Sequence, residues 1–287
     1  MRLFKKITRR LNAERRLLPG RIREGLLSLI PEEYLFRRSM MNMSSSIRNM
    51  ERNGFHPASI IEIGAYQGDW SRMARRIFPE ASIFMVDANQ DKDSVLSAAC
   101  LEIGRAKHSI ALLGPQSSES VNFYVMEPGS SVLFENTSVP RSSRRIPMAT
   151  LDDLALAWEP IPGPYFIKLD VQGFEIEVLR GAERILAYTE AAQLEVSLLP
   201  YNEGAPLLAE VIAFMRTRGF VTYDVCGFCR RESDGTPFML DLLFVREDSA
   251  LRSKKPFWNL EAQFDAQAAG APLGQHVRIP VTGEWRN

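Results

Sequence analysis

A chain of 287 residues that is 45% apolar can bury one large core with appendages, and its three cysteines are too few for a disulfide framework. Zero net charge hides an asymmetry: residues 1–50 hold 12 Lys/Arg against 4 Asp/Glu and the remainder 23 against 31, so the body is mildly acidic and a poor non-specific binder of nucleic acid. There is no apolar run of 18 residues and no apolar stretch of a secretory signal, so the expected compartment is a reducing cytosol.

Residues 1–50 read as a basic helical appendage. Phe4, Ile7 and Leu11 lie at helical spacing, as do Leu18, Ile22, Leu26 and Leu29, with a break at Pro19-Gly20. Two uses compete. One is weak contact of residues 1–30 with the inner membrane surface or an acidic partner. The other, favoured because one short basic helix binds membranes only marginally, is packing on the main domain or on a second copy in a homo-oligomer.

From Gly54 the chain alternates. Strands are predicted at about 59–63, 82–87, 107–112, 120–126, 164–170, 191–198, 219–225 and 239–246, and helices at about 69–78, 91–103, 175–187 and 205–218. Such alternation predicts an α/β fold, a doubly wound, mostly parallel sheet. The last two strands have no helix between them, which predicts a closing antiparallel hairpin. Residues 127–150, rich in Ser, Pro and Arg, read as a long loop over the site.

The first strand-to-helix turn is Glu62-Ile63-Gly64-Ala65-Tyr66-Gln67-Gly68. Glycines there let backbone approach a ligand where a side chain would collide. Nineteen residues on, the second strand ends in Asp87, an acid suited to a ribose diol. A dinucleotide site wants a middle glycine and a helix start free of acid. Ala65, Tyr66 and Asp69 stand there instead. The pattern suits a nucleoside with a positive charge and no phosphate, such as S-adenosylmethionine. A tight turn without a ligand is the plainer alternative.

The stretch Phe166-Ile167-Lys168-Leu169-Asp170-Val171-Gln172-Gly173-Phe174-Glu175, continuing to Ala182, resembles the signature of FkbM-type S-adenosylmethionine-dependent methyltransferases. Thr150-Leu151-Asp152-Asp153-Leu154, Glu195-Val196-Ser197 and Asp241-Leu242-Leu243-Phe244-Val245-Arg246 fit the same family, and the resemblance covers about residues 54–248. The family often carries Glu where Gln172 stands. The resemblance implies a Rossmann-like methyltransferase sheet, S-adenosylmethionine as cofactor, and sugar, glycan or polyketide hydroxyls as acceptors. The boundaries that follow are 1–50 for the appendage, 51–248 for the methyltransferase domain and 249–287 for a loosely structured tail.

Ligands of open α/β sheets sit at the carboxyl ends of the strands. Glu62, Asp87, Asp170 and Glu195 fall at such ends and should converge. On the cofactor side, Glu62 is expected near the methionine amino group, and Gly64, Ala65 and Gly68 around the nucleoside. Asp87 is expected on the ribose, and Ala111 beside the adenine by analogy with the fold. Asp170 and Glu195 are the candidate catalytic acids. Asp170 could instead be an N-cap, and Glu175 either touches the acceptor or answers the helix dipole. Tyr201 and Asn202 carry groups a polyol needs, or are turn residues.

His56, His108 and His276 are poorly placed for a base, and no cluster has metal-ligand spacing, so no metal is expected. The lone pair Cys226 and Cys229 lacks the partners of a zinc site. Ser130-Ser131 resembles a recurring serine element of the family, but without a His base it is not read as a nucleophile. Two rivals stay open: an NAD-linked oxidoreductase of similar fold, and a non-catalytic binding protein that keeps it.

Overall fold

The computed structural model describes residues 42–158 and 161–253. The helices expected within 1–41 and the tail beyond 253 lie outside the described residues. No described helix is long and apolar enough to cross a membrane.

The described chain runs α1 (Met43–Arg52), β1 (Ser59–Ile63), α2 (Asp69–Ile77), β2 (Ser82–Asp87), α3 (Asp93–Ile103) and β3 (Ala106–Ile110). Next come β4 (Leu112–Leu113), β5 (Ser118–Val125), β6 (Ser142–Ala149), α4 (Leu151–Leu156), β7 (Tyr165–Leu169), α5 (Glu175–Arg180) and α6 (Glu183–Ala187). It closes with β8 (Thr189–Ser197), α7 (Leu208–Thr217), β9 (Phe220–Arg230) and β10 (Pro237–Arg246). The main sheet has seven strands in the order β3-β2-β1-β7-β8-β10-β9. The first five run parallel, and β10 is antiparallel to both β8 and β9. This is the predicted doubly wound sheet with its closing hairpin, and its order reverses between β1 and β7.

Both faces of the sheet are covered, which is why its strands read as nearly unbroken apolar runs. Ile61, Ile63, Ile167, Leu169, Leu194 and Phe244 pack against Leu179 of α5, Leu186 of α6 and Val211 of α7. The alternate residues Ile60, Ile83, Met85, Phe166, Ala191 and Leu243 pack against α1, α2 and α3 through Ile47, Met50, Trp70, Ala74 and Leu96. α1 therefore straddles the boundary expected at residue 50.

Several predicted elements differ. Residues 120–126 do not join the main sheet. They form β5 of a second, three-stranded sheet, β4-β6-β5, and part of the expected 127–150 loop is its strand β6. Ser142–Arg145 are exposed and read as loop, but β6 pairs with β5, and Met148 joins Phe123 and Leu112 in a small apolar cluster. One wet face made the strand invisible to composition. The helix expected over 175–187 breaks at Gly181, where a Cβ would stand 2.1 Å from the Gly114 carbonyl oxygen. The Asp152 carboxylate then accepts from the N–H of Arg184 (2.8 Å) and Ile185 (3.0 Å), starting α6 afresh.

Candidate active site

The turn after β1 is dictated by crowding. Gly64 has φ +77°, and a Cβ there would come 1.9 Å from the carbonyl oxygen of Asp170. The switch in strand order thus brings the ends of β1 and β7 so close that only glycine fits. Tyr66 also has positive φ, at 51°. Its N–H donates to Asp87 Oδ2 and that of Asn89 to Asp87 Oδ1, both at 2.8 Å. The Ala111 N–H reaches the Asp87 carbonyl at 2.9 Å. Asp87 therefore ties three strand ends together, and burial holds its carboxyl above the usual range despite those N–H groups.

These ends border a cleft with about 870 Å³ of empty space, part of it open to solvent. Of the predicted residues, Gly64, Asp87, Ala111 and Asp170 line it. Leu112, Phe123 and Met126 supply apolar wall, while Tyr66 and Lys92 stand on the polar side. Lys92 Nζ is 4.0 Å from the centre of the Tyr66 ring and 2.5 Å from Glu127 Oε1. A cleft with an apolar wall and the carboxylates of Asp87 and Asp170 at its strand ends has the chemistry of a nucleoside site.

Glu62, Ala65, Gly68, Glu175, Glu195, Tyr201 and Asn202 are not in the cleft wall. On the sheet face toward α2 the side chains turn polar at the strand ends. Glu62, Lys168 and Gln193 are register partners across β1, β7 and β8, and Glu195 pairs with Asp241 across β8 and β10. Glu62 is 1% exposed. Ser71 Oγ donates to it at 2.5 Å, and Lys168 Nζ stands 3.6 Å away. Burial pushes Glu62 up to about 7, against the opposing pull of Lys168. Lys168 Nζ donates at 3.2 Å both to the Gly64 carbonyl and to Asp170 Oδ2. Burial works against the lysine's charge, but Asp170 and Glu62 outweigh it and hold the ammonium above its ordinary range. Trp70 Nε1 donates to Gln193 Oε1 at 3.0 Å, closing the stripe from α2.

Asp170 does not cap α5. Phe174 is the residue before that helix, and Asp170 is held instead by Lys168 and by Gln172, whose Nε2 donates to Asp170 Oδ1 at 2.8 Å. The same Nε2 donates to Glu195 Oε2 at 2.8 Å. Glu195 is half-buried, and desolvation, then the carboxylates of Asp170, Glu175 and Asp241, keep its carboxyl well above the ordinary range. Glu175 is buried as well. Its Oε1 accepts from the N–H of Val171 (2.9 Å) and Gly173 (3.2 Å), so it braces the loop before α5. Burial pushes it up to about 7.

Tyr201 stacks on Phe238 with ring centres 5.0 Å apart. Burial, then a hydrogen bond to Glu135, pushes its hydroxyl up to about 12. Asn202 is 1% exposed, and its Nδ2 and Oδ1 have no hydrogen-bond partner among the described residues. A Cβ on Gly173 would stand 3.5 Å from the Asn202 Cβ, so the loop after β8 lies against the loop that carries Gln172. Glu135, also buried, accepts from Thr137 Oγ1 at 2.6 Å.

Sequence reasoning passed over Lys168, Asp241, Gln172 and Glu135 as site residues. Lys168 and Asp241 carried a signal, a charge within an apolar strand. Glu135 carried none. Cys226 is buried and Cys229 exposed on the same strand, β9, so they do not face one another. Among the described residues no group of three or more His, Cys, Asp or Glu could hold a metal ion. His108 lies on β3, its Nε2 2.8 Å from Asp93 Oδ1.

A family model, the methyltransferase FkbM domain, matches residues 62–222. The chain belongs to the FkbM family of S-adenosylmethionine-dependent methyltransferases. That assignment sets aside the NAD-linked oxidoreductase. Among curated proteins none matches this FkbM methyltransferase. Solved structures similar to it include precorrin-6y C5,15-methyltransferase from Geobacter metallireducens GS-15 (13% identity, 70% of this chain and 86% of that one, TM-score 0.39). Magnesium protoporphyrin IX methyltransferase from Synechocystis PCC 6803 with bound SAM is another (11%, 71% and 77%, 0.40). The N-terminal domain of EvdMO1 with SAH bound is a third (11%, 71% and 80%, 0.41). Likenesses at this level transfer no residue roles.

Proposed function

We propose that this FkbM methyltransferase methylates a hydroxyl oxygen of a polar acceptor of sugar, glycan or polyketide type. The observation that carries the reading is Asp170. Its side chain is 36% exposed at the end of β7, in the cleft, while Glu62 and Glu175 near it are buried and Glu195 is half-buried outside the cleft wall. When bound, S-adenosylmethionine would supply the methyl group, which passes in line to the acceptor oxygen as its bond to sulfur breaks and S-adenosylhomocysteine leaves. Asp87 has lone pairs left for the ribose hydroxyls beyond the two N–H groups it accepts. Gly64 lets the ends of β1 and β7 meet at the edge of the cleft. Glu62 acts from behind the turn by holding Lys168. Lys168 and Gln172 fix the Asp170 carboxylate, which takes the hydroxyl proton as the oxygen attacks. Glu195 stands behind it as the second acid. Tyr201 and Asn202 serve the acceptor from the loop after β8. By the same reading the enzyme works in the cytosol, with residues 1–30 as the contact to a second copy or to the inner membrane surface.

The test is transfer of a labelled methyl group from S-adenosylmethionine to a panel of glycosides and macrolactones. The expected product is a methyl ether. Transfer only to nitrogen or carbon acceptors would overturn the hydroxyl reading, and no transfer at all would favour a binding protein.

A further inference from the structure

Gln172 stands at φ +56°, a region that residues other than glycine rarely adopt. The loop that carries it is held from two sides. Ser131 Oγ lies 3.1 Å from the Val171 carbonyl oxygen and 3.2 Å from that of Gln172, its one proton shared between them. Glu175 Oε1 accepts from the N–H on either side, those of Val171 and Gly173. Glycine would occupy this position without strain. A strained backbone fixed by two buried side chains points to a use for the side chain it presents.

That side chain is committed. Both amide hydrogens go to carboxylates, one to Asp170 and one to Glu195, and this fixes which end of the amide is nitrogen. Oε1 is left uncommitted, 4.0 Å from where a Cβ on Gly129 would stand, and both residues line the cleft. We infer that Gln172 is a positioning residue that couples the two candidate acids, holding Asp170 toward the cleft and Glu195 behind it with one bridging amide. No other side chain type makes this bridge at the same reach. A carboxyl group has one proton to give, and asparagine is one methylene short.

The charged and titratable groups facing Glu195 are Lys168 of β7, Asp170 beyond it, Glu175 of α5, Tyr201, Asp241 of β10 and Cys229 of β9. Lys168 supplies the favourable charge, and the Gln172 amide adds a hydrogen bond to the ionised form of Glu195. Removing a donor to a carboxylate disfavours its charge, and its titration moves to higher pH.

The proposal depends on the methyltransferase reading only for its use in catalysis, and its test needs no acceptor. The carboxyl carbons of a protein labelled with ¹³C at glutamate are titrated by NMR, with Glu195 assigned through Glu195→Gln. In Gln172→Asn, whose side chain tolerates positive φ, the Glu195 midpoint should rise by about one pH unit. Melting temperature and S-adenosylhomocysteine affinity should stay near the parent's. If Gln172→Asn does not fold, Gln172→Glu keeps the reach, and its new carboxyl should titrate as a coupled pair with Glu195. An unmoved Glu195 midpoint in the first variant, or independent titration in the second, would overturn the inference. Failure of methyl transfer to every acceptor would leave this readout intact, so the two failures are distinguishable.

Discussion

The two halves of the strand-end region are built differently. On the proposed cofactor side, around β1, β2 and β3, contacts run through backbone: Gly64 against the Asp170 carbonyl, the Asp87 carboxylate on the N–H groups of Tyr66 and Asn89, and the Ala111 N–H on the Asp87 carbonyl. On the proposed acceptor side, around β7, β8 and β10, contacts run between side chains: Lys168 to Asp170, Gln172 to Asp170 and to Glu195, Thr137 to Glu135. Backbone contacts recognise what every member of a cofactor class shares. Side-chain networks in low dielectric set protonation and orientation, and one substitution retunes them. The first half is a holder and the second a chemical environment.

The comparison is most exposed at Asp170. Asp170→Asn preserves shape and, since Asp170 caps no helix, disturbs no cap. The rate in single-turnover measurements should fall by roughly 10²-fold or more, with cofactor affinity nearly unchanged. A rate within about threefold of the parent, far less than a lost acid–base group costs, would move the chemistry to Glu195. On the other half, Asp87→Ala should weaken S-adenosylhomocysteine binding by about 1.5–3 kcal/mol in calorimetry, as expected for hydrogen bonds to a charged group. An unchanged dissociation constant would leave Asp87 as a tether of strand ends alone.

Glu62 lies where the halves meet and sharpens the contrast through pH. Its folded pKa of about 7 stands above the ordinary 4.5, so between those values the folded protein holds the proton more tightly than the unfolded chain. That contribution is present in acid and is lost as pH rises from about 4.5 to about 7. Glu62→Gln lacks this loss. From pH 5 to pH 7 its stability in denaturant titrations should gain on the parent's by on the order of 1–2 kcal/mol, less than the full shift because Lys168 loses a partner. A constant difference would mean that Glu62 stays ionised throughout. The smallest effect is expected from chelation, since the acids of both halves are occupied by N–H groups, hydroxyls and Lys168. Prolonged chelator treatment should leave methyl transfer intact, and recovery only on adding a divalent cation would recast Asp170 and Glu195 as ligands.

The cofactor half was legible because its determinants are local. A strand, a glycine turn and a helix lie within residues 59–77, and Asp87 closes the next strand. Most main-sheet elements were legible for the same reason, since apolar periodicity is a property of neighbours in sequence. β6 was not, because only one of its faces is covered. The break at Gly181 was not, because its cause is the carbonyl of Gly114 in another segment.

By itself, then, the sequence determined the strands of the main sheet and most of its helices, the family, and the glycine turn with its paired acid. Tertiary structure alone decided which acids meet. It turned Asp170 away from capping, set Glu175 to bracing a loop, placed Glu195 behind Gln172 and brought in Glu135 from the segment between β5 and β6. The physical reason is that protonation and orientation depend on burial and on partners in other segments. Gln172 and Glu195 are 23 residues apart, Lys168 and the Gly64 carbonyl 104, and Trp70 and Gln193 123. Packing of the sheet brings them together, and no local pattern records it.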